Sequence, residues 1–277
     1  MGIKLIAVDL DGTLLRRNCT IASQTAEAIH KALAAGIYIV PATGRSFRNA
    51  QHVLSEFNDI QYFINANGTT VTDGIRRKLL YAETMPIELV REVYALTKEY
   101  ETFIEIYEGM DAIVDEPGVE MLYSTSIERD YIVQLLSTNI KIKSLDAYLQ
   151  EAQHKVSKLH IVCQNAERKE ALFQKIDKIK DVYPLSTMSR NVEIVNKTWS
   201  KKDGLEKLAG TLGIDREEIM AIGDSDNDYD MLKWVGTSVA MGNAKEHIRE
   251  IADLVTATNE DNGVAAVITD VLTTGRY

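Results

Sequence analysis

The chain has 277 residues, of which 45% are hydrophobic and 26% charged, a composition that excludes disordered, collagen-like and disulfide-scaffold proteins. This length exceeds that of one typical hydrophobic core and therefore predicts two domains. The formal net charge of -10 disfavours nucleic acids and anionic membrane surfaces as partners and favours cations.

The first part of the chain alternates short apolar runs with helical patterns. Strands are predicted at residues 5–8, 37–42 and 62–66, and helices at residues 23–35 and 47–57. The strand segments are apolar throughout, which is typical of parallel strands covered by helices on both faces. This order predicts an α/β fold with a doubly wound, Rossmann-like parallel-sheet core.

The middle of the chain has longer, more charged helical patterns and half-exposed strands. Helices are predicted at residues 87–100 and 167–179, and strands at residues 102–107 and 158–162. We therefore predict an inserted α/β domain at residues 84–189, within a core built from residues 1–83 and 190–277.

The last part of the chain returns to the alternating pattern of the first. Helices are predicted at residues 203–212, 226–233 and 264–272, and strands at residues 219–222 and 238–240. Asp215 and Glu218 have the spacing of a capping box on a short turn before a strand.

Acidic residues follow two of the predicted strands. Asp9 and Asp11 come after strand 5–8, and Asp224 and Asp228 come after strand 219–222. Open parallel sheets bind ligands beyond the carboxyl ends of their strands, so these four carboxylates are expected to lie together. Such a cluster needs a cation, and Mg²⁺ suits oxygen ligands combined with a substrate phosphate.

These residue types fit phosphoryl transfer. The carboxylate of Asp9 can attack phosphorus and form an acyl phosphate, and Asp11 can protonate the leaving oxygen and later activate water. The charge on the phosphoryl oxygens needs a cationic partner and hydrogen-bond donors, which Lys201 and Thr43 supply. The pattern predicts a hydrolase of phosphoric monoesters that works through an aspartyl-phosphate intermediate.

Four segments together resemble the motifs of the haloacid dehalogenase superfamily. They are Asp9-x-Asp11-Gly-Thr, Thr43-Gly44-Arg45, Lys201 and Gly223-Asp224-x-x-Asn227-Asp228. The large insertion, together with segments 65–68 and 239–244, further resembles the Cof-type subfamily, whose inserted α/β cap covers the site.

The resemblance implies a role for each motif residue. Asp9 would be the nucleophile and Asp11 the acid/base. The phosphate or substrate would be held by Thr43, Gly44, Arg45, Lys201 and Asn227. The metal shell would be formed by Asp9, Asp11 through its backbone carbonyl, Asp224 and Asp228.

Several alternatives stay open at this point. The family usually has glycine directly after the motif lysine, whereas Lys202 and Asp203 precede Gly204 here, so Lys202 is a second candidate for the motif lysine. Arg45 either grips a substrate or only begins a helix. A phosphomutase or other phosphotransferase uses the same intermediate, and a Mg²⁺ and phosphate sensor uses the same acidic pocket.

The expected substrates are small phosphorylated metabolites, with sugar phosphates as the commonest class for such a resemblance. The expected partners exclude nucleic acid and membrane, and the protein is expected to be a monomer or homodimer. A cytoplasmic location is predicted because apolar run 5–8 is too short for a signal peptide and the two cysteines predict no disulfide framework.

Overall fold

The structure is a computed structural model that describes residues 2–127, 129–186, 189–196 and 199–275. Its strands are β1 (Leu5–Val8), β2 (Tyr38–Pro41), β3 (Tyr62–Asn65), β4 (Thr70–Asp73), β5 (Lys78–Ala82), β6 (Thr102–Glu108), β7 (Asp111–Asp115), β8 (Ile140–Ile142), β9 (Val156–Cys163), β10 (Val182–Leu185), β11 (Asn191–Asn196), β12 (Ile219–Gly223), β13 (Thr237–Ala240) and β14 (Leu254–Val255).

Helices connect most of these strands. They are α1 (Ser23–Ala34), α2 (Phe47–Val53), α3 (Ile87–Thr97), α4 (Glu116–Ser124), α5 (Arg129–Leu136), α6 (Leu145–Gln150), α7 (Ala166–Ile176), α8 (Lys201–Leu212), α9 (Tyr229–Trp234), α10 (Glu246–Ile251) and α11 (Gly263–Thr274). Among the helices that the structure describes, none has the length and apolar character needed to cross a bilayer.

The packing divides the chain into two compact units. Unit 1 contains Met1–Arg45, Val53–Tyr81 and Ser200–Tyr277, and unit 2 contains Ser46–His52 and Ala82–Trp199. The domain limits inferred from the sequence, with the insertion at residues 84–189, stay a prediction.

Unit 1 is built on a parallel sheet with the strand order β14-β13-β12-β1-β2. β1 lies between β12 and β2 and pairs in parallel with both. Its residues are fully buried, as expected of a strand covered by helices on both faces. The predicted doubly wound parallel sheet is confirmed.

The strand expected at residues 62–66 is present as β3, but it has an antiparallel neighbour that the sequence did not predict. β3 pairs antiparallel with β4 in a separate three-stranded sheet. One parallel bridge joins Ile64 of β3 to Ala42, the residue after β2. The chain reverses after β3 because Asn67 and Gly68 adopt positive φ angles of 57° and 94°. The apolar run of β3 is the same in either arrangement, so periodicity does not distinguish them.

The two predicted features around β12 have different outcomes. The capping box of Asp215 and Glu218 is present, and the Asp215 N–H donates to the Glu218 carboxylate at 3.3 Å. The helix expected at residues 226–233 begins instead with a 3-10 turn, Asp226–Asp228, before α9. At the start of this turn the Asp228 carboxylate accepts the Ser225 N–H at 3.0 Å.

Unit 2 contains a mostly antiparallel sheet with the order β10-β11-β9-β6-β7-β8. A large apolar cluster joins this sheet to α3, α6 and α7. A smaller apolar cluster includes Phe103 and Val162 of the sheet and Leu122 of α4. These two clusters make unit 2 an α/β unit with its own core.

Candidate active site

The ends of β1 and β12 bring two acidic segments together. The strands are neighbours in register, with Val8 opposite Ile222. The Asp9 N–H donates to the Ile222 carbonyl at 3.0 Å, so Asp9 directly follows the last paired residue of β1. Asp224 directly follows β12 at the same edge of the sheet. The strand order alone therefore places these two carboxylates side by side.

Lys201 reaches this edge from the first residue of α8. The start of α8 packs against the turn after β3 through two glycines. A Cβ on Gly68 would lie 2.0 Å from the Ser200 carbonyl oxygen, and one on Gly204 would lie 2.8 Å from the Gly68 carbonyl oxygen. No side chain fits at either position, so this close contact fixes the start of α8.

Lys201 joins two carboxylates in the interior of unit 1. Its Nζ lies 2.6 Å from Asp9 Oδ1 and 2.7 Å from Asp228 Oδ1, and all three side chains are buried. Carboxylate oxygens of Asp9, Asp224 and Asp228 lie within 4.8 Å of one another. We call these three aspartates with Lys201 the carboxylate cluster.

Lys202 lies outside this cluster. Its Nζ contacts Glu206 at 2.5 Å and Asp203 at 3.6 Å, and the Lys202 and Glu206 side chains are 28% and 52% exposed. The intervening Asp203 accepts a hydrogen bond from the Ser200 N–H at 2.8 Å. Both extra residues before Gly204 therefore belong to the first turn of α8, where Asp203 caps the helix and Lys202 pairs with Glu206 outside the cluster.

Asp228 also organises the loop that carries Asp224. Its Oδ2 accepts the N–H groups of Asp224 and Ser225, each at 3.0 Å. A Cβ on Gly223 would lie 2.5 Å from the Asp228 carboxyl carbon, so glycine is required there. The Asp228 carboxylate thus holds both Lys201 and the backbone of the Asp224 loop.

The charge in the cluster is unbalanced. With all three aspartates ionised, the single ammonium of Lys201 leaves two negative charges uncompensated in a buried site. Burial raises the pKa of Asp9 well above its usual value although the charge of Lys201 lowers it, and the charges of Asp228 and Asp224 raise it further. Burial and then Asp228 raise the pKa of Asp224 to about 7.

The cluster fits a divalent cation. Its two uncompensated negative charges match the charge of such an ion, and its potential ligands are carboxylate oxygens, which hard cations prefer. Burial alone would lower the pKa of Lys201, but the carboxylates of Asp228 and Asp9 raise it above its usual value. Lys201 therefore stays charged, and the residual negative charge falls on the aspartates.

The Asp11 carboxylate is not part of the carboxylate cluster. Its carboxylate accepts hydrogen bonds from Arg45, at 2.8 Å from Nε and 2.5 Å from Nη2, and its side chain is 54% exposed. Thr13, two residues later, donates from Oγ1 to Asp224 at 3.1 Å. A role for Asp11 as a metal ligand is therefore confined to its backbone, and this role stays a prediction.

The other predicted phosphate-binding residues lie near the same edge. Thr43 is buried, and its Oγ1 accepts the Arg45 N–H at 3.2 Å, while the intervening Gly44 is half-buried. Asn227 accepts from Ser225 Oγ at 2.7 Å and donates to the Asn67 side chain at 3.3 Å. These contacts leave the predicted phosphate-binding roles untested.

Two structural residues have no predicted role in the sequence. Asn243 Nδ2 donates to the Gly12 carbonyl at 2.8 Å, and Asn259 Nδ2 donates to the Leu15 carbonyl at 2.8 Å. Asn243 and Asn259 lie in the C-terminal part of the chain, and their hydrogen bonds stabilise the loop after β1. Asn243 lies in segment 239–244, which resembles the Cof-type subfamily, and Asn259 has only the signal of an amide side chain in a polar loop; neither signal names a partner.

We predict a pH dependence for the metal-free protein. The folded-state pKa of Asp224, about 7, lies above the ordinary value of an aspartate, so its protonated form stabilises the fold at low pH. Without divalent cations, the free energy of unfolding should fall as pH rises from about 4 through about 7. Urea unfolding in EDTA measures this, and Asp224→Asn should flatten the slope. A slope that Asp224→Asn leaves unchanged would contradict the assignment.

The sequence is similar to known hydrolases over almost its full length. A family model described as haloacid dehalogenase-like hydrolase matches residues 6–268. Phosphatase YwpJ of Bacillus subtilis (strain 168) is 30% identical over 98% of this chain and 100% of that protein. From the same organism, 5-amino-6-(5-phospho-D-ribitylamino)uracil phosphatase YitU is 29% identical over 94% of each chain.

Solved structures share the fold. A haloacid dehalogenase-like hydrolase from B. subtilis superposes with a TM-score of 0.84 at 29% identity, covering 96% of this chain and 99% of that one. A structure described as the HAD subclass IIB sugar phosphatase BT4131 superposes with a TM-score of 0.78 at 25% identity, covering 96% and 98%. These matches are long enough to include residues of both units.

Proposed function

Because the chain belongs to the haloacid dehalogenase-like hydrolase family, we propose that it is a Mg²⁺-dependent phosphatase of small phosphorylated metabolites that works through phosphorylated Asp9. The Cof-type resemblance and the class of enzyme, a phosphatase, are confirmed by the family match and by the named relatives. The metal, the residue roles and the substrate class are the proposed part.

One observation carries the proposal: the contact of Lys201 with both Asp9 and Asp228 in a buried site that retains excess negative charge. A phosphate ester brings more negative charge, which this site accepts only with additional cations. Asp9 lies at the end of β1 with one carboxylate oxygen on Lys201. Its other oxygen is the one we assign to attack on phosphorus.

The remaining steps use neighbouring residues. Attack by Asp9 forms the acyl phosphate and breaks the bond to the leaving oxygen, to which Asp11 donates a proton. In the second step the Asp11 carboxylate takes a proton from water as the water oxygen attacks phosphorus. The bond between phosphorus and the Asp9 oxygen breaks, which releases inorganic phosphate and restores the Asp9 carboxylate. Lys201 and the Thr43 hydroxyl stabilise the charge on the transferred group.

Mg²⁺ is the proposed cofactor. It would be held by Asp9, Asp224 and the backbone carbonyl of Asp11, with Asp228 in support. When bound, it supplies positive charge against the phosphate oxygens. The all-oxygen donor set supports this choice over softer metals.

The proposed substrates are phosphate esters of sugars or sugar alcohols. YitU is named for a substrate with a phosphoribityl group, and BT4131 is described as a sugar phosphatase. Both names describe a phosphate ester on a polyhydroxylated carbon chain. We propose the same chemical class for this chain. A cytoplasmic location and a monomeric or homodimeric state stay predictions.

We expect inorganic phosphate release from a panel of sugar and sugar-alcohol phosphates in Mg²⁺ and its loss in EDTA. Metal dependence should exceed about 100-fold, because uncompensated charge in the site opposes binding of an anionic ester. Restoring Mg²⁺ after EDTA is the control for irreversible damage. Transfer of phosphate between hydroxyls without release would instead identify a mutase, and inertness toward all esters would remove the hydrolytic assignment.

A further inference from the structure

Arg45 engages both oxygens of the Asp11 carboxylate. Nε donates to Oδ2 at 2.8 Å and Nη2 donates to Oδ1 at 2.5 Å, which is the two-pronged geometry of a strong arginine–carboxylate pair. The Arg45 side chain is only 15% exposed, whereas the Asp11 side chain is 54% exposed. The guanidinium is therefore fixed in the protein and the carboxylate is the accessible partner.

The backbone around Asp11 is held independently of this pair. Asn243 bonds the Gly12 carbonyl, and Thr13 bonds the Asp224 carboxylate. Gly12 has a φ of +88°, and a Cβ there would lie 2.5 Å from Asp224 Oδ2. With its neighbours fixed in this way, Asp11 can change partners chiefly through its side-chain torsions, and Arg45 sets the orientation seen here.

We propose that Arg45 is a positioning residue for Asp11: it holds the carboxylate by both oxygens and so orients Asp11 for proton transfer to the leaving oxygen of the substrate. This inference rests on the proposed function and adds a residue to it. The sequence left open whether Arg45 grips a substrate or only begins a helix. The geometry points to an action through Asp11.

The consequence depends on the leaving group. An alkoxide leaving from a sugar phosphate needs a proton, so its release depends on a correctly placed Asp11. Nitrophenolate is a stable anion and leaves without a proton. Loss of Arg45 should therefore slow hydrolysis of an alkyl ester far more than hydrolysis of p-nitrophenyl phosphate.

The test compares Arg45→Ala with wild type on p-nitrophenyl phosphate and on the most active alkyl ester of the panel. We expect kcat/KM to fall by about 100-fold for the alkyl ester and by less than about 3-fold for p-nitrophenyl phosphate. Asp11→Asn should show the same split. Adding Arg45→Ala to Asp11→Asn should cause little further loss, because both changes remove one function.

Two further variants sharpen the result. Arg45→Lys keeps the charge but not the two-pronged fork, so an intermediate loss on the alkyl ester is expected. Arg216→Ala removes another arginine of unit 1, one paired with the exposed carboxylate of Glu217, and should leave both rates unchanged.

The outcomes separate this inference from the proposed function. Equal losses on both esters would show that Arg45 contacts the phosphate, and unchanged rates would show no role; either result overturns the positioning role while the phosphatase stands. A wild-type protein inert toward both esters would overturn the proposed function itself, and the Arg45 inference with it.

Discussion

Asp9→Asn is expected to abolish phosphate release without unfolding the protein. The amide keeps the shape of the carboxylate but has no anionic oxygen to attack phosphorus, so kcat should fall by on the order of 10⁴-fold or more. Burial, with Asp228 and Asp224, raises the pKa of Asp9, so an ionised group there destabilises the metal-free fold. The neutral amide should leave the melting temperature unchanged or higher.

Phosphate release in Mg²⁺ and thermal unfolding in EDTA measure the two parts of this prediction. Asp59→Asn makes the same chemical change at an exposed position of unit 1 and should alter neither quantity. If Asp9→Asn kept more than about a tenth of wild-type activity, Asp9 would not be the nucleophile. A large loss of stability in the same variant would instead indicate a structural role.

Lys201→Met should cause the largest loss of stability. It removes the ammonium that contacts Asp9 and Asp228, and leaves buried carboxylates facing each other. Removing one partner of a buried ion pair costs about 3–5 kcal/mol of folding free energy. The carboxylates left without Lys201 become neutral when they bind protons, which reduces this cost. The loss of folding free energy should therefore be greatest at alkaline pH and smaller near pH 5.

Urea unfolding in EDTA at both pH values measures this loss. Lys202→Met is the matched control, because Lys202 pairs with the exposed Glu206 and its loss should cost no more than about 1 kcal/mol. Phosphatase activity should disappear in the first variant and persist in the second. The reverse pattern would make Lys202 the phosphate-binding lysine and would contradict the cluster as described.

The positions of the strands along the chain could be inferred from the sequence because periodicity is a local property. The apolar runs of β1, β2 and β12 predict parallel buried strands, and polar residues after them predict a site at their carboxyl ends. The pairing of β3 could not be inferred in this way. A short apolar run fits a parallel or an antiparallel neighbour equally well, and the choice depends on the turn that follows it.

The sequence was enough to predict which residue types lie near the site: acids after β1 and β12, a threonine after β2 and a lysine near the start of the late helix. The lysine that enters the cluster and the partner of the Asp11 carboxylate could be identified only from the folded chain. Successive residues of a helix project about 100° apart, so the choice between Lys201 and Lys202 depends on the phase of α8. The contact of Gly204 with Gly68 sets that phase, and the pair with Arg45 sets the orientation of Asp11. The two residues of each pair are distant in sequence, so local patterns do not reveal either contact.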